Sequence, residues 1–165
     1  MDNPADRRTP TRLRSTPTWL ITHLATQAGR LLGEAFDAGE WRRYHYALLA
    51  ALEEFGPASQ AELGRRCRID RSYVVEAVTE LAEQKLVERA LDPADRRRNI
   101  ITITDAGIDR LQRLGTTLDG VQDALLAPLS QHERAELTDL LSRVLDHHLT
   151  SRRDGASSGP GPADG

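Results

Sequence analysis

Ser59-Gln60-Ala61-Glu62-Leu63-Gly64-Arg65-Arg66-Cys67-Arg68-Ile69-Asp70-Arg71-Ser72-Tyr73 is the stretch on which the fold turns. Its first four residues fit a capping box: the serine hydroxyl accepts from the third helical N–H, and the glutamate reaches back to the N–H of the cap. A short helix to about Arg66 follows. A turn over Cys67 to Ile69 leads to a second helix that Asp70 can cap, with Val74, Val75, Val78, Leu81 and Ala82 facing inward. Its first turn presents Arg71, Ser72 and Tyr73 outward. Two short helices joined by a tight turn, the second opening on polar residues, are a helix-turn-helix candidate.

Downstream, Leu86 to Leu91 and Asn99 to Ile103 carry β-branched and alternating residues on either side of the turn signal Asp92-Pro93-Ala94-Asp95. This is a β-hairpin whose tip is Asp95-Arg96-Arg97-Arg98. Consecutive arginines at a loop tip suit a minor groove, whose negative potential attracts them; a solvated charge run is the alternative. A hairpin directly after the helix pair makes a wing.

Working outward, apolar residues at Leu20, Leu24, Ala28, Leu31 and Ala35, widened by Trp19, Leu32 and Phe36, predict a long amphipathic helix from Pro17 to near Gly39. A second helix carries Trp41, Tyr44, His45, Leu48, Leu49, Leu52 and Phe55 on one side and stops at Gly56-Pro57. Thr104 opens a helix with a heptad-like seam of Leu111, Leu114, Leu118, Val121 and Leu125, ended by Pro128. Ser130-Gln131-His132-Glu133 is another capping box, before a helix with Leu137, Leu140, Leu141, Val144, Leu145 and Leu149. The predicted order is α-α-α-α-β-β-α-α: mainly α with a small β-hairpin wing. Residues 1–16 and 151–165, rich in Pro, Gly, Ser, Asp and Arg, are expected to be disordered tails around an ordered domain at 17–150.

Composition bounds the function. A chain of 165 residues supports one domain with a substantial core. No apolar run reaches membrane-spanning length and the first residues lack the apolar stretch of a signal peptide, so a cytoplasmic protein without membrane contact is expected. The net charge of -3 does not advertise nucleic acid, but of 22 basic residues only Lys85 is lysine. Guanidinium forks suit phosphates and guanine edges; a GC-rich genome gives the same usage. Cys67 stands alone, and reads as a small core residue. An enzyme is not expected: Ser72 and Ser130 have no His-acid partner at a recognisable spacing, and no Gly-rich phosphate loop is present.

The order and spacing of Gln60-Ala61-Glu62-Leu63, Asp70-Arg71-Ser72, Leu81 to Arg89, Asp92-Pro93-Ala94-Asp95-Arg96-Arg97 and Ile103-Thr104-Asp105-Ala106-Gly107 resemble the MarR (multiple antibiotic resistance regulator) family over about residues 20 to 149. The D-x-R wing and the following L-T-x-x-G pattern are the most discriminating parts. The resemblance implies a winged helix-turn-helix at 41–103 and a homodimer built through helices at 17–39 and 104–149. It further implies double-stranded DNA as partner, read as a palindromic operator, and often repression relieved by a small aromatic effector. It makes Asp95 the organiser of the wing and Arg97 its minor-groove arginine, within a DNA-binding set of Ser59, Gln60, Arg71, Ser72, Tyr73, Asp95, Arg96, Arg97 and Arg98. Arg68 and Lys85 stand where similar proteins usually place glycine, and Glu76 where a basic or neutral residue is more usual.

Aromatic residues concentrate on the first two predicted helices, near where the resemblance implies a pocket. Trp19, His23, Trp41, Tyr44 and His45 are the candidate ligand-binding residues, for a phenol or an aromatic carboxylate; the same spacing also describes core packing. No cofactor is expected. Zinc sensing is the rival within regulators, drawing on His23, His45, His132, His147 and His148, but no pair has i, i+4 spacing and His147 and His148 are expected on different sides of a helix. A winged-helix protein-interaction module without DNA binding is the rival from another class.

Overall fold

The computed structural model describes residues 9–36, 43–92 and 99–156, with side chains described to Leu149. Trp41 and the wing tip Asp95 to Arg98 lie outside the described residues, as do 1–8 and 157–165 of the expected tails. The chain divides into two units, residues 1–125 and 126–165.

In the first unit, α1 (Thr11–Arg14) precedes α2 (Pro17–Ala35), α3 (Arg43–Phe55), β1 (Ala58–Ser59), α4 (Gln60–Cys67), α5 (Arg71–Glu83), β2 (Val87–Leu91), β3 (Asn99–Ile103) and α6 (Asp105–Leu125). The core is built around α3: Leu48, Leu49 and Leu52 pack with Leu63 of α4, Val74, Val78 and Leu81 of α5, and Ile101 of β3, all 2% exposed or less. These are the inward positions expected from periodicity, with two corrections. Val75 of α5 is exposed and Ala77 is buried in its place, because the buried stripe of α5 runs 74, 77, 78, 81. Phe55, at the last turn of α3, is 55% exposed, with the Arg66 guanidinium 5.0 Å from its ring centroid.

The sheet has three strands, in the order β1-β3-β2, rather than the two of a hairpin. β2 and β3 pair antiparallel from Val87↔Ile103 to Leu91↔Asn99, as the hairpin reading expects, while Ala58 and Ser59 add a third strand on Ile101 and Ile100. Two residues have no alternation to read. They become a strand because the chain leaving α3 runs beside β3, which offers unpaired backbone groups.

Two helix ends shape the α4–α5 pair and the turn that follows it. Arg68 (φ 55°) and Lys85 (φ 59°) are both left-handed, the conformation that glycine adopts without cost and that costs other residues roughly 1 kcal/mol or more. At the end of α5 the Leu86 N–H donates to Leu81 O (2.9 Å) and the Lys85 N–H to Ala82 O (3.0 Å), the two bonds of a Schellman motif, with Leu81 and Leu86 both buried. At the end of α4 the Ile69 N–H donates to Gly64 O (3.0 Å), which sets the turn into α5.

The start of α6 is tied to this turn. The Thr104 N–H donates to Leu86 O (3.1 Å), the Thr104 hydroxyl donates to Lys85 O (2.9 Å), and the Gly107 N–H donates to Thr104 Oγ1 (3.1 Å). A Cβ at Gly107 would stand 2.1 Å from Leu86 O and 2.7 Å from Ile103 Cγ1. The Thr104-x-x-Gly107 spacing therefore has a physical cause: the threonine caps the helix and latches the preceding turn, and the glycine lets helix backbone touch strand backbone.

The expected helix boundaries shift in three places. α2 ends at Ala35 rather than near Gly39, α6 at Leu125 rather than at Pro128, and α1 stands inside the segment expected as a tail. The hydroxyls of Ser15 and Thr16 both donate to Arg12 O, so the polar residues that read as a tail close a helical turn. α2 buries none of its residues, leaving Leu20, Ile21 and Leu24 exposed. The seam of α6 packs within its own chain, since Leu114 and Val121 are buried and Leu111 joins the core, with α2 among its neighbours.

The second unit holds α7 (Gln131–Ala156), which continues past the expected boundary at residue 150. Its capping box forms in full: the Ser130 N–H donates to Glu133 Oε2 (2.8 Å) and the Glu133 N–H to Ser130 Oγ (3.4 Å). These bonds, led by that of the Ser130 hydroxyl, hold the Glu133 carboxyl below the usual glutamate range. Leu140, Leu141, Val144 and Leu145 are exposed. His147 and His148, expected on different sides, meet edge-on with ring centroids 5.3 Å apart.

Candidate nucleic-acid interface and effector cleft

α4, the turn at 68–70 and α5 form the helix-turn-helix. Ser59 caps α4 through its hydroxyl, which accepts from the Glu62 N–H at 3.3 Å, as the capping box requires. Glu62 bonds Arg66 one turn along the helix. Ser59 is buried at the cap, and Gln60 at the first position of α4 is half-buried. Asp70 occupies the N-cap of α5 with extended backbone (ψ 146°) but makes no side-chain capping bond. The N-terminal N–H groups of α5 are thus left without that side-chain cap, at the end of the helix where the partial positive charge of the macrodipole attracts anions.

Arg71, Ser72 and Tyr73 open α5 and are all exposed, as a DNA-reading first turn requires. α5 is braced on its far side by β2: Arg89 Nη2 donates to Thr79 Oγ1 (2.8 Å), and that hydroxyl donates to Val75 O (2.7 Å). The β2–β3 ladder ends at Leu91↔Asn99, so both ends of the segment that carries Asp95, Arg96, Arg97 and Arg98 lie at one end of the sheet. Cys67 packs against the core, its thiol donating to Ala47 O at 3.4 Å. Burial pushes that thiol up, against a smaller opposing pull from Arg66.

A cleft of about 340 Å³ lies between α3 and α5. α3 contributes Arg43, Tyr44 and His45, and α5 contributes Tyr73, Glu76, Ala77 and Glu80. The Tyr44 and Tyr73 rings stack with centroids 5.2 Å apart and planes 28° from parallel. His45 is buried, with Nε2 2.8 Å from Glu80 Oε2. Of the expected ligand-binding residues the cleft thus brings together Tyr44 and His45. Trp19 and His23 are elsewhere, stacked on each other along α2 at 3.8 Å, with His23 Nδ1 2.8 Å from Trp19 O. Tyr73, Glu76 and Glu80 escaped a reading that sought ligand groups only on the first two helices; their spacing of three, four and seven marks one stripe of α5. Among the described residues no three His, Cys, Asp or Glu side chains converge as a metal site. No helix of the described residues is long and apolar enough to cross a membrane.

A braced helix pair with an exposed, polar first turn on the second helix, backed by a three-stranded sheet, defines a winged helix-turn-helix DNA-binding module. Comparison with known proteins makes the assignment particular. The sequence pattern of the MarR family matches residues 42–98. The transcriptional repressor NicR of Pseudomonas putida is 30% identical over 101 residues, spanning 61% of this chain and 64% of that protein, somewhat less than two thirds of its length. The crystal structure of the PcaV transcriptional regulator of Streptomyces coelicolor, in complex with its natural ligand, is 34% identical with a TM-score of 0.70, covering 81% of this chain and 94% of that one. A mutant MarR from E. coli complexed with operator DNA shares the fold at 22% identity, with a TM-score of 0.66 over 76% of this chain and 91% of that one. The chain belongs to the MarR family of winged helix-turn-helix transcriptional regulators.

Proposed function

We propose that the protein is a ligand-responsive repressor that acts as a homodimer on a palindromic operator. The observation that carries the DNA-binding part is the placement of Arg71, Ser72 and Tyr73, exposed together on the first turn of α5. From there a guanidinium reaches base edges, and a bidentate contact to guanine discriminates by about 1–3 kcal/mol. Arg97, in the segment bridging β2 and β3, senses minor-groove width and charge. The dimer is supported by apolar side chains left uncovered on α2 and α7, among them Leu24 and Val144. Ligand response is supported by the cleft on α5 itself, where an occupant contacts the helix that reads DNA. NicR is a repressor, and PcaV was crystallised with its natural ligand; both fit this reading.

The test is binding of wild type, Arg71→Ala and Arg97→Ala to a palindrome from the protein's own upstream region and to a scrambled duplex, across a salt series. Arg71→Ala relaxes sequence preference. Arg97→Ala weakens both duplexes evenly and lowers the salt slope by about one unit. Wild-type affinity in both variants would remove these contacts. Failure of wild type to bind DNA at all, with capture of a partner protein, would favour the interaction module.

A further inference from the structure

The structure assigns Val75 a specificity-determining role: its isopropyl group packs on the 5-methyl group of a thymine in the major groove of each half-site. This rests on the regulator assignment above and goes further by naming one base and the group on it that is read.

Periodicity places Val75 with the inward residues of α5, yet it is 42% exposed, because the buried stripe runs 74, 77, 78, 81. A single apolar side chain on a protein surface is ordinary; its neighbours are what give this one a use. One turn earlier stands Arg71, exposed. One turn later stands Thr79, whose hydroxyl holds Arg89 Nη2 at 2.8 Å. Neither arginine has an ion-pair partner among the described residues, so Val75 lies between two guanidinium groups that no carboxylate neutralises. Such a strip fits a polyanion that carries an isolated apolar group, and the thymine methyl is the one methyl group the major groove presents. A protein partner asks for a wider apolar patch, and the other large apolar side chain exposed on α5, Tyr73, is stacked on Tyr44.

The position of Val75 is also held. The Thr79 hydroxyl donates to Val75 O at 2.7 Å while it accepts from Arg89, so this turn of α5 is tied to β2. The exposed polar groups beside Val75 suit other bases: a guanidinium at Arg71 matches guanine, and a carboxylate at Glu76 accepts from the cytosine amino group. Neither senses a methyl group. Four residues of helix rise about 6 Å, which sets the thymine about two base-pair steps of roughly 3.4 Å from the guanine read by Arg71.

The test uses the full chain and a duplex that wild type selects from a random pool. Each thymine of a half-site is replaced in turn by deoxyuridine, which pairs alike and lacks the 5-methyl group. At one thymine position, wild type is expected to lose about fourfold in affinity when one half-site is changed and about fifteenfold when both are, the transfer cost of one and of two methyl groups. Val75→Ala is expected to bind the thymine and deoxyuridine duplexes alike. The change is at an exposed position and toward a better helix former, so an unchanged circular dichroism spectrum is expected with it. The inference is overturned if no thymine position in the wild-type duplex responds to loss of its methyl group, or if Val75→Ala keeps the wild-type ratio at the position that responds. Enrichment of no sequence by wild type is the separate failure of the regulator assignment, and removes this inference with it.

Discussion

Replacing Gly107 by alanine sets two effects of opposite sign against each other. In an exposed helix interior the change stabilises by about 0.5–1 kcal/mol, because alanine loses less backbone entropy on folding. At Gly107 the new Cβ falls 2.1 Å from Leu86 O and 3.1 Å from Leu86 C, both backbone atoms, and 2.7 Å from Ile103 Cγ1. A contact distance of about 3.4 Å or more requires the start of α6 to retreat by more than an ångström from the turn after α5. That carbonyl accepts from the Thr104 N–H at 3.1 Å, so the retreat strains the latch as well. Overpacking costs about 1–3 kcal/mol, and a weakened buried hydrogen bond about 1 kcal/mol more. After subtracting the helical gain, a net loss of about 1–3 kcal/mol is expected. Gly120 is the control: it lies in the same helix with nothing within 4 Å of its virtual Cβ, so Gly120→Ala is expected to stabilise. Urea unfolding of the three proteins at one protomer concentration reads both signs, concentration being held because a dimer's stability depends on it. A neutral or stabilised Gly107→Ala would refute the close-approach account of the Thr104-x-x-Gly107 spacing.

Lys85→Gly relieves a left-handed lysine (φ 59°) and is expected to raise stability by about 0.5–1 kcal/mol in the same assay. Leu24→Asp, on the uncovered face of α2, is expected to leave a folded protein that sediments as a monomer; an unchanged dimer would exclude that face from the interface. Because the folded pKa of Glu133 is lowered, its capping contribution is present above the ordinary glutamate pKa and lost as pH falls through the lowered value. Glu133→Gln, which still caps through its amide, should flatten that acid limb in a helicity titration by circular dichroism. The raised Cys67 thiol predicts iodoacetamide alkylation at neutral pH at least about tenfold slower in the native protein than in urea, and equal rates would contradict its burial.

Local chemistry and periodicity determined much of this protein before any packing was known. The capping residues Ser59, Thr104 and Ser130, the apolar spacing of α3 and α5 except at Phe55, Val75 and Ala77, and the run of β2 and β3 around a turn signal are short-range features that stand where the chain predicted them. Arg68 and Lys85, both left-handed, were marked only by the resemblance, in which glycine is usual at these two positions. What tertiary structure alone decided are relations between distant segments. Ala58 and Ser59 become a strand only because β3 lies beside them. Gly107 must be glycine because of Leu86, twenty-one positions earlier. The heptad-like seam of α6, read as a surface for a second copy, is partly filled by its own chain, since periodicity reports that a face is buried and not by what. The cleft was half legible for the same reason: Tyr44 and His45 belong to an aromatic-rich stretch, but Glu76 and Glu80 acquire their role only where α5 crosses α3, and no spacing within one helix encodes the partner it meets.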